Sequence, residues 1–186
     1  MLVATVLYED KMRVGSNGAF PPHDFVLAMV ADLIGHAVWD LRRRVFPNPR
    51  NGVDKLIGDL KRTRFLAGSG RLCILVDRDR VAAHLKLPKS ASEDEIIAAL
   101  RERSDAPDKL SVHFLDPNME GLMRSIEACA PNERAPSTKG HNARDLYLNR
   151  AAFALPAAVR DCVKGNQPSL GALVELLADL CRSASA

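Results

Sequence analysis

Aromatic side chains are scarce in this chain, at 5% of its 186 residues. Its core is therefore expected to be aliphatic, and stacking of bases on aromatic rings is not the expected main binding mode. No CxxC pair and no Cys/His cluster at zinc spacing is present. The four cysteines, Cys73, Cys129, Cys162 and Cys181, stand apart and are read as reduced thiols of a cytoplasmic protein. The opening "MLVATVLYEDK" has no basic segment before its short apolar run, so no signal peptide is expected. No apolar stretch approaches the roughly 20 residues of a membrane span. Repeats and low-complexity tracts are missing too.

Several chemistries are disfavoured on the same grounds. "VGSNG" lacks the lysine-serine ending of a phosphate-binding loop. Ser16 and Ser69 have no GxSxG context, which argues against a serine hydrolase. Cys73 falls mid-strand and is a poor nucleophile. His23, His36, His84, His113 and His141 show no metal-binding spacing. His23, beside the glycine-containing loop, is the one histidine worth following.

Hydrophobic residues make up 47% of the chain, enough for a sizeable core, and the net charge is +3. Leu2 to Tyr8 reads as a buried strand ending in Glu9 and Asp10. "DFVLAMVADLIGHAV" reads as a helix with Asp24 as its N-cap. "WDLRRRVF" is a candidate second strand, and "PNPRNG" then breaks the chain. "GVDKLIGDLKRTRFLAG" is a second helix, with Val53, Leu56, Ile57 and Leu60 on one side. "RLCILVD" is the clearest strand. A helix follows in which Ser92 and Glu95 have capping-box spacing. "KLSVHFLD" is the last strand, ending in Asp116, and "MEGLMRSIEAC" is helical. "NARDLYLNRAAF", "PAAVRDCV" and "PSLGALVELLADLCR" give a helical C-terminal part.

Strands alternating with helices imply an α/β domain with a mainly parallel central sheet flanked by helices. The expected organisation is an α/β domain over 1–130 and a helical extension over 131–186 packed on it. Right-handed crossovers gather the C-terminal strand ends at one edge, where ligands of such sheets bind. Glu9, Asp10, Asp77, Asp79, Asp116 and, one helical turn on, Glu120 would collect there. Such a cluster repels itself unless a cation sits in it, and oxygen ligands suit Mg²⁺ or Mn²⁺. Asp77 and Asp79 are two apart and would share one face of a strand. Asp116 is read as a cap or turn residue.

A strand ending in Glu9, followed by an apolar strand ending in Asp77-Arg78-Asp79, resembles the TOPRIM fold of topoisomerases, primases and related nucleases. In particular it looks like small bacterial TOPRIM-like proteins near the OLD-type nucleases, with Glu120 in "MEGLM" at the place of an acidic helix start. The resemblance covers about residues 1 to 127. It implies a Mg²⁺- or Mn²⁺-dependent nuclease or phosphoryl-transfer protein acting on nucleic acid. Glu9, Asp77 and Asp79 would hold metal, and Glu9, Asp77, Asp79 and Glu120 would serve catalysis. It also implies a role in bacterial defence against phage, with a protein partner. Asp40 to Arg71 carries nine Lys or Arg against three Asp. Arg42, Arg43, Arg44, Lys61, Arg62 and Arg64 are its candidate phosphate contacts, weighed against a plain solvated face. The rival reading is a non-catalytic interaction or regulatory subunit that keeps the fold. It is favoured by Asp10 standing where the family usually has glycine. A doubly wound nucleotide-binding or receiver-like domain would need a phosphoacceptor Asp and a strand-end Lys in the expected order, and this sequence does not present them.

Overall fold

The computed structural model of the protein describes residues 1–9, 22–130 and 156–184; the side chains at 22, 23, 119, 120 and 123 fall outside that description. Four strands form one all-parallel sheet: β1 Ala4–Tyr8, β2 Val45–Pro49, β3 Arg71–Asp77 and β4 Leu110–Leu115, in the order β2-β1-β3-β4. Helices cover both faces, a Rossmann-like arrangement. The strand order changes direction between β1 and β3, because the chain steps from β1 outward to β2 and then returns past β1 to β3. In doubly wound sheets that switch point, at the carboxyl ends of the strands, is where ligands bind.

Alternation along the strands explains the two layers. Val6, Tyr8, Cys73 and Leu75 point to one face. They pack there against α1 (Pro22–Ile34) and two C-terminal helices, α8 (Ala157–Asn166) and α9 (Pro168–Ser183). Leu7, Leu72, Ile74 and Val76 point to the other face. That face is covered by α3 (Val53–Asp59), α4 (Thr63–Ala67), α5 (Arg78–His84) and α6 (Glu93–Arg101). The C-terminal helices therefore supply part of one core layer: Leu170, Leu173, Val174, Leu177 and Cys181 of α9 are all buried in it. At roughly 1.5–3 kcal/mol per buried aliphatic side chain, that helix is integral to stability.

Several expectations are corrected. The second strand is Val45–Pro49 and follows a short helix, α2 (Val38–Leu41). The two prolines do not end it. On this edge strand the partners of β1 are Arg44, whose carbonyl accepts from Val3, and Arg50, whose amide donates to Tyr8. Residues of the opposite parity, Pro47 and Pro49, turn their nitrogens away from the ladder, where a missing N–H costs nothing. The helix expected over "GVDKLIGDLKRTRFLAG" is broken by a 3₁₀ turn at Leu60–Arg62, where the hydroxyl of Thr63 bonds the Leu60 carbonyl. Asp24 lies inside α1 rather than capping it and pairs with Arg42. The Ser92/Glu95 capping box is present as expected.

The cysteines were expected to be reduced. Cys129, at the end of α7 (Met119–Cys129), and Cys162 of α8 instead form a disulfide across 33 positions. Spacing along the chain carried no hint of it, because the two meet only after the C-terminal helices fold back beside α7. Cys73 and Cys181 are free and buried, and burial pushes the Cys73 thiol up to about 12, out of the nucleophilic range.

Candidate functional site

The carboxylates at the switch point are positioned by the ends of β1 and β3. Glu9 leaves β1, and its carbonyl accepts from the Gly52 amide at 3.2 Å. Gly52 has φ +106°, a conformation open to glycine and strained for other residues. On the neighbouring strand, β3 ends at Asp77 and α5 starts at Arg78 with no intervening loop. Asp77 is thus the N-cap residue and Asp79 lies in the first helical turn. Their expected common strand face does not exist, because the backbone has already turned helical between them.

One side chain joins this edge. Arg80 Nη1 donates to Glu9 Oε1 at 2.9 Å, and Arg80 Nε lies 3.7 Å from Asp77 Oδ2. Both carboxylate side chains are only 12% exposed, whereas Arg80 is 64% exposed. The hydrogen bond and charge of Glu9, followed by the charges of Asp77 and Asp79, hold the Arg80 guanidinium protonated above its ordinary range. Asp79 accepts from its neighbour's amide, Arg80 N–H, at 2.7 Å and from Asn118 Nδ2 at 3.2 Å. Glu9 Oε2 is buried and has no hydrogen-bond partner among the described residues. The expected convergence of Glu9 and Asp77 is therefore present, around a guanidinium. Among the described residues no three His, Cys, Asp or Glu side chains stand close enough together to hold a metal ion as they are.

Strand β4 completes the edge. Its last residues are fixed by the start of α9, which covers an otherwise open sheet margin. Gln167 is 3% exposed; its amide accepts from Asp116 N–H at 3.0 Å and donates to Asp116 carbonyl at 3.0 Å. Ser169 Oγ accepts from Phe114 N–H at 2.9 Å. The ring of His113 lies between Ser111 Oγ (2.8 Å) and the Ser169 carbonyl (3.1 Å). Burial holds His113 neutral, with a pKa lowered to about 4, so Nδ1–H donates to Ser169 and Nε2 accepts from Ser111. Asp116 itself is half exposed and faces Arg78 at 3.8 Å. It caps nothing: the N-cap of α7 is Asn118, whose side chain accepts from Gly121 N–H. Glu120 is the second residue of α7, with its side chain outside the description, while Asp10 and Ser16 lie wholly outside the described residues. Of His23, only its place in α1 is described.

The basic residues are elsewhere. Arg44 immediately precedes β2 and its guanidinium donates to the Cys181 carbonyl. Arg42 pairs with Asp24 at 2.8 Å and lies 4.4 Å from the Trp39 ring centroid. Lys61, Arg62 and Arg64 are exposed near the start of β3 and β4, where Arg64 bonds Asp105. Arg43 is exposed as well. Arg43, Arg44, Lys61, Arg62 and Arg64 lie near the N-terminal ends of the strands, whereas the Arg42 guanidinium reaches the first turn of α1. Glu9 and Asp77 lie at the opposite edge, about 16 Å away across five strand residues at roughly 3.3 Å each.

Sequence reasoning missed Arg80 as the centre of the site. Gln167 was missed entirely, and no local pattern marks it. No helix among the described residues is long and apolar enough to cross a membrane. Comparison with models of known families, with curated proteins and with solved structures yields no match for this chain.

Proposed function

We propose that this protein is a divalent-cation-dependent phosphoryl-transfer protein of TOPRIM-like type, acting on phosphodiesters of nucleic acid at the β1/β3 switch point. The observation that carries the reading is that Glu9 and Asp77, from adjacent parallel strands, meet there around a single cationic group. The donor set suits a hard ion. Mg²⁺ needs only one or two carboxylates besides water and substrate phosphate. Glu9 also keeps a buried oxygen with no hydrogen-bond partner among the described residues. Glu9 and Asp77 would hold the ion, with Asp79 beside them, once Arg80 swings outward. Its 64% exposure leaves room for that movement. A cation bound there supplies Lewis-acid stabilisation of charge on a phosphoryl group. Arg80, displaced from Glu9, becomes a fork of donors matched to phosphate oxygens. Asn118 keeps Asp79 oriented.

A second reading rests on the same side chain. With Arg80 between them, Glu9 and Asp77 form a charge-paired network that ties α5 to β1, as a non-catalytic interaction subunit would retain. Cleavage assays on labelled single-stranded and duplex oligonucleotides, with Mn²⁺ or EDTA, separate the two. Phosphoryl transfer predicts Mn²⁺-dependent cleavage that Glu9→Gln and Asp77→Asn each reduce at least a hundredfold. No cleavage in any of these conditions, with no effect of Mn²⁺ on melting, selects the subunit reading.

A further inference from the structure

Beside Asp79 the surface opens into a cavity of about 440 Å³ between α5, α6 and the Asp116-Pro117 turn. Its volume is within the range of small-ligand sites. One wall is apolar, with Ala82 and Ile96 buried and Leu87 half-buried. Two cations line it as well. Arg78 is held flat against the wall: Nη2 donates to the Ala91 carbonyl at 3.3 Å and Nη1 lies 3.8 Å from Asp116. Lys89 is exposed and makes no ion pair with a described residue.

We infer that this cavity receives one nucleotide unit of the strand whose phosphate reaches the Glu9–Asp77 edge, an inference that rests on the phosphoryl-transfer reading. The parts correspond by chemistry. Arg78 and Lys89 match a phosphate. The Ala82–Leu87–Ile96 wall matches the faces of a base or sugar. The carboxylates of Asp79 and Asp116 accept from sugar hydroxyl or base N–H donors. A bare phosphate leaves the apolar wall uncovered, and a nucleoside brings no anion to Lys89. Because Asp79 belongs both to this cavity and to the carboxylate edge, a unit bound here has its neighbouring phosphodiester at Glu9 and Asp77.

The test is calorimetric titration of the full chain in EDTA with 5′-AMP, adenosine and inorganic phosphate. AMP should bind at least tenfold more tightly than either fragment. Lys89→Glu, at an exposed site, should weaken AMP about tenfold or more. Ala83→Trp, which fills the cavity from an exposed wall position, should do the same. AMP no tighter than phosphate alone, or AMP affinity unchanged in both variants, overturns the inference. Melting of the wild type with and without Mn²⁺ is run alongside. Stabilisation by Mn²⁺ without AMP binding removes the cavity site and leaves the metal reading. AMP binding as expected without any Mn²⁺ response removes the metal reading and leaves a nucleotide site.

Discussion

Replacing Arg80 with alanine tests the arrangement of the site most sharply, because two opposite effects are expected from one change. Without divalent metal, the variant leaves Glu9 and Asp77 facing each other without their shared cation. Both carboxylate side chains are 12% exposed, so desolvation matters, but Arg80 is 64% exposed and water screens its side of the pair. An exposed pair is worth about 0–1 kcal/mol, and breaking a fully buried one costs about 3–5 kcal/mol. The mixed geometry here places the loss at about 1–2 kcal/mol. At roughly 2–4 °C per kcal/mol for a chain of this size, the variant should melt about 2–8 °C lower in EDTA. Adding Mn²⁺ should close this gap. The arginine no longer competes for the carboxylates, so the ion binds the variant more tightly than the wild type. A ligand at a hundred times its dissociation constant adds about 2.7 kcal/mol, and the Mn²⁺ stabilisation of the variant should exceed that of the wild type by up to the roughly 1–2 kcal/mol that the arginine no longer contributes. Differential scanning calorimetry of wild type, Arg80→Ala and Arg80→Lys with EDTA or a Mn²⁺ series is the assay. Equal melting in EDTA would refute the charge-pairing role. A smaller Mn²⁺ shift in Arg80→Ala than in the wild type would refute the competition between guanidinium and metal.

Three further outcomes are expected. The His113 pKa of about 4 in the fold lies below the roughly 6.5 of an unfolded chain, so between these values the unfolded state binds the extra proton. Its contribution is complete above about pH 6.5 and is lost as pH falls from there towards 4, by up to roughly 3 kcal/mol; urea unfolding of His113→Gln should show a flatter dependence over that window, and an unchanged slope would contradict the buried neutral ring. Reducing or removing the Cys129–Cys162 disulfide, which closes 33 positions, should destabilise by roughly 3–4 kcal/mol on the chain-entropy account, and an unchanged urea midpoint under dithiothreitol would count against the link. Replacing Lys61, Arg62 and Arg64 with alanine should lower any nucleic-acid affinity and flatten its salt dependence while leaving the Mn²⁺ melting shift intact, since these residues occupy the far edge of the sheet; loss of the metal response would show that the two edges are coupled.

How much of this was legible depended on the range of the interaction. Strand β3 is a continuous apolar run from Leu72 to Val76, and β1 and β4 are mostly apolar with Thr5, Ser111 and His113 interspersed; burial on both faces is what such strands encode. That legibility extended to the gathering of Glu9 and Asp77 at one edge, which follows from parallel strands alone. Strand β2 was misplaced because its prolines are strand breakers everywhere except at outward positions of an edge, and edge position is a property of the assembled sheet. The side-by-side use of Asp77 and Asp79 failed because the sequence does not mark where strand geometry gives way to helix. Arg80 lies three residues beyond Asp77, but its meeting with Glu9 spans 71 positions. Gln167 bonds Asp116 across 51 positions, and Cys129 meets Cys162 only through the packing of α7 against α8. None of these long-range pairs leaves a periodic or spacing signal.

The central claim is that Glu9 and Asp77 form a cation site now held by Arg80. Isothermal titration of Mn²⁺ into the wild type, Glu9→Gln and Asp77→Asn measures this directly. The account predicts one ion bound by the wild type and binding weakened at least tenfold in each variant, since each loses one of two carboxylate ligands. Absence of Mn²⁺ binding by the wild type, or equal binding by all three proteins, would contradict it.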